Sequence, residues 1–338
     1  MCRSPARDDV AVPQAREESK INPPARPPLN WTGLLHLLVV YVVWGGTYLG
    51  IRVAVREGSG FPPFWMGTSR LLIGGAVLLS WAALRRRRVR LTRSEFGVLA
   101  ASGILLWFGS NALVTWAETR ADSGFAALII GSVPLWVALM EARLDRRSPP
   151  PLLIASILVG LAGIGLLSAP VLMSRDPSDG ISLGSLLVAT VSWSAGTLLQ
   201  RRRPVGVVPQ VSSAYQQLLA AIPYGLAAIL TGEPKPQPTG EALAAWGYLV
   251  VFGSILAFTS YVAAIQLLPT RVVVTNAYVN PVIAVILGSL VLGEPITGWT
   301  LGGMVCILLG VAGVFRQSYG RGKERVGPDV MIPTLPST

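Results

Sequence analysis

Long apolar blocks alternate with short polar segments along this chain, and the length of the blocks decides what they are. About 20 mainly apolar residues cross the hydrocarbon core of a bilayer as a helix. The pattern predicts ten such spans: 32–51, 63–84, 95–117, 123–142, 151–170, 181–200, 211–231, 242–267, 272–292 and 298–315. Residues 1–31 are rich in Pro, Arg, Asp and Glu and lack a signal-peptide core, so they read as a disordered cytoplasmic tail with the first span as an uncleaved anchor. Residues 317–338 read as a second disordered cytoplasmic tail.

One block organises the others. Thr275 to Thr297, TNAYVNPVIAVILGSLVLGEPIT, carries Asn276, Tyr278, Asn280 and Pro281 near one end and Gly-Glu-Pro-Ile at the other. A proline in mid-helix leaves the carbonyl four residues back, that of Ala277, without its partner and bends the axis. In lipid such a break survives only where protein or a water-lined cavity covers it. Around Pro134 the run SGFAALIIGSVPLWVALM repeats the pattern. Trp44 corresponds to Trp193 at an offset of 149, Pro134 to Pro281 at 147, and Gly160-Leu-Ala-Gly163 to Gly310-Val-Ala-Gly313 at 150. These offsets imply an internal duplication, with 32–170 as the first unit and 181–316 as the second. An odd number of spans per unit turns the second copy upside down. The expected fold is therefore all-α and integral to the membrane, with ten transmembrane helices as two inverted five-helix repeats, the architecture of secondary transporters with a site near the midplane.

Composition and charge sharpen this picture. The chain of 338 residues is 51% hydrophobic and 13% charged, with a mean hydropathy of +0.55, which excludes a soluble fold of this size. The net charge of +11 does not point to nucleic acid, because the arginines sit in alternate short loops. With the N-terminus inside, the cytoplasmic segments hold 22 of the 28 Lys and Arg residues, whereas Arg52, Arg56, Arg120, Arg175 and Lys235 fall outside. That bias predicts both termini in the cytoplasm. Cys2 and Cys306 suggest no disulfide framework, and His36 reads as an interfacial residue. No phosphate-binding loop, metal-ligand set or His-Glu-x-x-His motif is present, so no cofactor, metal or catalytic residue is expected. A lipid-modifying membrane enzyme would need a cluster of carboxylates or histidines at one face, and none is found.

Four segments resemble a known family: VVWGGTYLGIR, FPPFWMGTSRLLIGG, NALVTWAETRADSGFAALI and NPVIAVILGSLVLGEPIT. The chain resembles the EamA-type branch of the drug/metabolite transporter superfamily over residues 32–316, and Trp-Ala-Glu ahead of Ser-Gly-Phe-Ala-Ala is similar to a metabolite-exporter-like subgroup. The resemblance implies export of small organic metabolites or drugs across a bacterial cytoplasmic membrane by alternating access. An importer or exchanger of an anionic metabolite or nucleotide-sugar is the alternative. The first repeat departs from the family pattern, with Glu141-Ala-Arg-Leu-Asp-Arg-Arg where a Gly-Glu is usual.

Candidate residues follow from polarity inside the spans. Arg70 is the one cation well within a span, where insertion costs about 2.5–3.5 kcal/mol, so a partner, a wet cavity or snorkelling to the surface is expected. The family's arginine at the matching place favours the cavity. Trp44, Thr47, Tyr48, Asn111, Trp116, Trp193, Gln216, Tyr261, Asn276, Tyr278 and Asn280 are expected to line the same cavity, with interhelical hydrogen bonding as the alternative for each. Gln217 and Gln266 belong to the same polar set. Glu118, expected to approach Arg70, is the candidate for proton coupling, and Glu141 reads as a surface partner of Arg143. Pro134 and Pro281 read as helix breaks at a gate, and Glu294 as a turn and orienting residue. The glycines of spans five and ten suit close helix packing, with a homodimer face as the alternative. Expected partners are a small organic solute, protons and membrane lipids.

Overall fold

The computed structural model describes residues 30–146, 148, 150–173, 177–268, 273 and 276–320. The polar tails lie outside this set, apart from Asn30 and Trp31 and residues 317–320, which begin the first helix and end the last. Among the described residues the chain is helical, without strands.

Among the described residues the helical rods run in the order α1 (Trp31–Val55), α2 (Pro63–Leu84), α3 (Arg93–Ala117), α4 (Ser123–Leu144), α5 (Pro151–Met173), α6 (Pro177–Arg202), α7 (Pro209–Leu230), α8 (Gly240–Leu267), α9 (Asn276–Leu292) and α10 (Gly298–Gly320). Their starts are written locally. The Asn30 side chain accepts from the Gly33 N–H at α1, and Thr92 and Glu95 form a capping box at α3. Pro63 and Pro209 occupy first-turn positions where no N–H is needed.

Six of these rods are long and apolar enough to cross a membrane by length and composition: α1, α2, α3, α4, α8 and α6 from Gly180. Shorter apolar stretches run through Pro151–Leu167, Val279–Leu292 and Gly298–Gly310. Helix α7 falls outside both groups, because Ser212, Ser213, Gln216 and Gln217 interrupt its apolar run. All four are buried, so its polar face turns into the protein. Leucine, isoleucine and valine side chains instead cover the outside, among them Leu38 and Val42, Ile222 and Leu226, and Val305 and Leu309. An apolar exterior over a partly polar interior is the arrangement of an integral membrane protein.

The rods pair as α5 with α10, α2 with α7, and α4 with α9; α1 packs on α8 and α9, and α6 on α3 and α4. A side chain on Gly310 would fall 2.7 Å from the Gly160 backbone N, and one on Gly163 would fall 2.8 Å from the Ile307 backbone N. The glycine runs therefore bring α5 and α10 together within one chain.

Rods α3, α4 and α8 are irregular, and α9 carries an internal proline. Helix α4 breaks at Gly131-Ser132 and restarts at Val133, with Pro134 in the new first turn. Pro281 lies inside α9, and a side chain on Gly131 would reach its ring at 2.8 Å, so the two proline-bearing helices cross there. Helices α3 and α8 each contain a nine-residue π-helical segment, Ile104–Ala112 and Leu249–Ala257. Such segments concentrate at functional sites. Side chains from neighbouring helices reach their carbonyls: Ser192 donates to Leu105, Tyr224 to Trp107 and Gln217 to Ser254.

Candidate functional site: a cavity between the two halves

A cavity of about 90 Å³ lies where α1, α2, α3, α4, α6, α8 and α9 meet. Trp44, Thr47, Tyr48, Arg70, Asn111, Trp193, Tyr261, Asn276 and Asn280 line it, as do Pro134 beside the break of α4 and Pro281 inside the continuous α9. An aromatic wall runs through it. Trp44 meets Trp193 edge-on with centroids 5.5 Å apart and meets Tyr261 at 4.9 Å. Behind them Phe258 touches Trp107 at 4.7 Å, which carries the aromatic contact on to Arg70. The Tyr261 hydroxyl is fixed by Thr197 at 3.0 Å.

Arg70 is 3% exposed and therefore does not snorkel. Its Nε donates to the Ser254 hydroxyl at 2.7 Å, its Nη1 makes a long 3.5 Å contact with Asn111 Oδ1, and its guanidinium carbon lies 5.2 Å from the Trp107 ring centre. Ser254 belongs to the π segment of α8, and Trp107 and Asn111 to that of α3, so one side chain ties the two irregular segments together. Every one of these partners is neutral. The Asn111 Oδ1 also accepts from the Tyr224 hydroxyl at 3.2 Å.

Other expected positions lie elsewhere. Gln216 is buried away from the cavity and donates to the Ser102 hydroxyl at 2.8 Å, because the glycine at 103 lets α7 press against α3. Gln217 donates to the Ser254 carbonyl at 3.1 Å, and Gln266 is exposed. Trp116 packs near Arg120, 6.0 Å from its ring centre, and does not reach the cavity. Tyr278 lies on α9, with its side chain outside the described residues. Glu141 pairs with Arg201 at 2.5 Å rather than with Arg143, and so joins α4 to α6. His36 contacts the Ser260 hydroxyl at 3.1 Å.

Glu118 does not meet Arg70 either. It is 0% exposed, and neither carboxylate oxygen finds a donor among the described residues. Arg52 donates to its backbone carbonyl at 2.7 Å. Burial and then the facing Glu294 push its carboxyl well above the usual range, opposed by Arg52. Glu294 accepts from the Ser123 and Gly124 N–H groups at 2.9 and 3.1 Å and from the Ser123 hydroxyl, so it caps α4. Glu233 does the same for α2, accepting from the N–H groups of Phe64 and Trp65 at 3.0 and 2.9 Å.

Four residues escaped the reading of the sequence. Trp107 and Ser110 share the i, i+3, i+4, i+7 face with Asn111 and Val114, all on the cavity wall, and that spacing was a usable signal. Glu233 sits in a second Gly-Glu-Pro, residues 232–234, matching 293–295, which was also visible. For Ser254 the sequence offered none.

The family model described as the EamA-like transporter family matches residues 31–169 and again 180–316. The chain belongs to this family. Among its relatives, the inner membrane transporter YedA of Escherichia coli is 33% identical over 265 residues, 77% of this chain and 83% of YedA. PecM of Dickeya dadantii is 26% identical over 237 residues, 68% of this chain and 76% of PecM. A protein known from its crystal structure aligns with a TM-score of 0.63 at 24% identity, covering 87% of this chain and 99% of that one, which speaks for the fold. As an EamA-like protein with an apolar exterior and spanning-length helices, the molecule is a membrane transporter.

Proposed function

We propose that this EamA-like protein is a secondary transporter that exports a small organic solute across the cytoplasmic membrane by alternating access. The observation that carries the reading is the cavity itself, walled on one side by α1 to α4 and on the other by α6, α8 and α9, with a proline-bearing helix from each half where α4 and α9 touch. The proposed units, 32–170 and 181–316, form two five-helix repeats of inverted topology. The family match in two segments supports this division. So does the packing: exchanging the units turns the contacts of α1 with α8 and α9 into those of α6 with α3 and α4. Rocking one unit on the other would open the cavity to each side in turn.

The test is counterflow in proteoliposomes holding purified protein and no nucleotide. Labelled solute should accumulate against unlabelled solute without ATP, and a Gly131→Leu variant, which drives a side chain into the Pro281 ring, should reduce it. A requirement for ATP would overturn the reading. A second reading, import or exchange of an anionic metabolite, is favoured by one observation, the buried Arg70 on the cavity wall. Strict one-for-one exchange without net efflux would select it.

A further inference from the structure

Within the transport reading above, we propose that the solute held in the central cavity is a single-ring aromatic anion, its carboxylate on Arg70 and its ring against Trp44, Trp193 and Tyr261. Three observations converge on this class.

The first is an uncompensated charge. Among the described residues Arg70 contacts a hydroxyl, a carboxamide and an indole, and the ion pairs there lie elsewhere: Arg56–Glu241, Arg88–Glu95, Arg201–Glu141 and Arg202–Asp145. A buried guanidinium is stabilised by an anion that can take two of its N–H groups together. The Gly253 backbone closes one side of the guanidinium, where a Cβ would come within 3.0 Å of Nη2, and Arg70 itself lines the cavity. A cation in this cavity would face the guanidinium unshielded, and a neutral solute would leave its charge as it is.

The second is the aromatic run. From Trp107 beside Arg70, ring contacts pass through Phe258 to Trp44 and on to Trp193 and Tyr261 without a gap. Trp107, Trp44, Trp193 and Tyr261 all line the cavity with Phe258 packed behind them, so a flat ring beside the guanidinium meets aromatic side chains.

The third is an orphan. Asn280 lies on the same wall, 6% exposed, and its Oδ1 has no donor among the described residues. A buried acceptor left unpaired is costly, and a hydroxyl on the ring of the solute supplies the missing donor.

The experiment uses the purified protein and three probes of similar size, one anionic, one neutral and one cationic: 4-hydroxybenzoate, 4-hydroxybenzamide and 4-hydroxybenzylamine. Binding is read by quenching of tryptophan fluorescence and by thermal stabilisation. 4-Hydroxybenzoate should bind at least about tenfold more tightly than the amide, the size of one charged hydrogen bond, and the amine should not bind. Arg70→Gln should erase the preference for acid over amide, and Arg70→Lys should keep part of it. Should Arg70→Gln fail to fold, Asn280→Ala carries the test: removing the ring hydroxyl, by using benzoate, should weaken binding several-fold in the wild type and not in this variant. Equal binding of acid and amide, tighter binding of the amine, or no binding of any probe would overturn the proposal. Counterflow keeps the two readings apart. A neutral or cationic solute that is transported would sink the anion assignment and leave transport standing. A bound acid that never crosses would sink transport and leave the site standing.

Discussion

Glu233 and Glu294 each stand in a Gly-Glu-Pro tripeptide whose glycine takes a left-handed conformation, φ +66° and +68°, and each turns its carboxylate to the start of another helix. Two helix-start N–H groups thus gain a charged acceptor in a half-buried place, where leaving one unmet costs about 1–3 kcal/mol. Glu294→Ala is therefore expected to lose about 2 kcal/mol of stability, read as a lower thermal midpoint, whereas Glu294→Gln keeps one acceptor and should lose less. Glu118, nearby, has no such partners. Burial and the charge of Glu294 raise its folded pKa above the ordinary 4.5, so the folded protein binds a proton that the unfolded chain has already released. Stability is then fully present below the unfolded value and falls as pH rises from there through the folded value. Glu118→Gln should flatten that slope in thermal melts taken across the pH range. Glu118 is also proposed to couple transport to protons, since it is buried and its carboxylate finds no donor among the described residues. Transport by Glu118→Gln that stays fully sensitive to the proton gradient removes the residue from that role.

At the scale of elements, the pair α5 and α10 offers a direct comparison. A side chain on Gly310 would meet the Gly160 N and the Ser156 carbonyl at 2.7 Å, both backbone atoms that cannot swing aside, whereas one on Gly165 meets nothing within 4 Å. Gly310→Val should destabilise by about 1–3 kcal/mol or more through overpacking, and Gly165→Val should be nearly neutral. If the glycines served a dimer face instead, Gly165→Val would be the one to change oligomer size in size-exclusion measurements. The helix boundaries were legible because capping residues, prolines and apolar lengths all act locally: the second span, 63–84, coincides with Pro63–Leu84. The π segments were not. Nothing in Ile-Leu-Leu-Trp-Phe-Gly-Ser-Asn-Ala marks an extra residue in the turn, since the irregular carbonyls are satisfied by Ser192, Tyr224 and Gln217 from other helices. The same distance in sequence explains Arg70. Its polarity inside a span announced a cavity, yet its partner Ser254 lies 184 residues away.

For the molecule as a whole, the charge pattern and the packing bear on the same question from independent sides. Arginines crowd the ends of α2, α4 and α6, where Arg86 follows α2 and Arg146 follows α4 in left-handed conformation and where Arg201 and Arg202 of α6 reach Glu141 and Asp145. The connections holding Glu118, Glu233 and Glu294 are comparatively poor in basic residues. Basic residues are retained on the cytoplasmic side during insertion, so the proposed topology puts both tails and the connections after Arg85 and Arg201 inside, and the three glutamates outside. In that proposed topology, five helices per unit make the second unit run in the opposite sense through the bilayer, and the matching packing of α1 and α6 supports the division into units. Reporter fusions separate this from the alternatives. A phosphatase or fluorescent reporter placed after Arg88 and after Arg203 should behave as cytoplasmic, and one placed after Asp179, between α5 and the body of α6, as external. A cytoplasmic signal at Asp179 would mean that the first unit crosses an even number of times. The two units would then be parallel, the shared cavity would lose its two-sided access by rocking, and the alternating-access mechanism would fall with it.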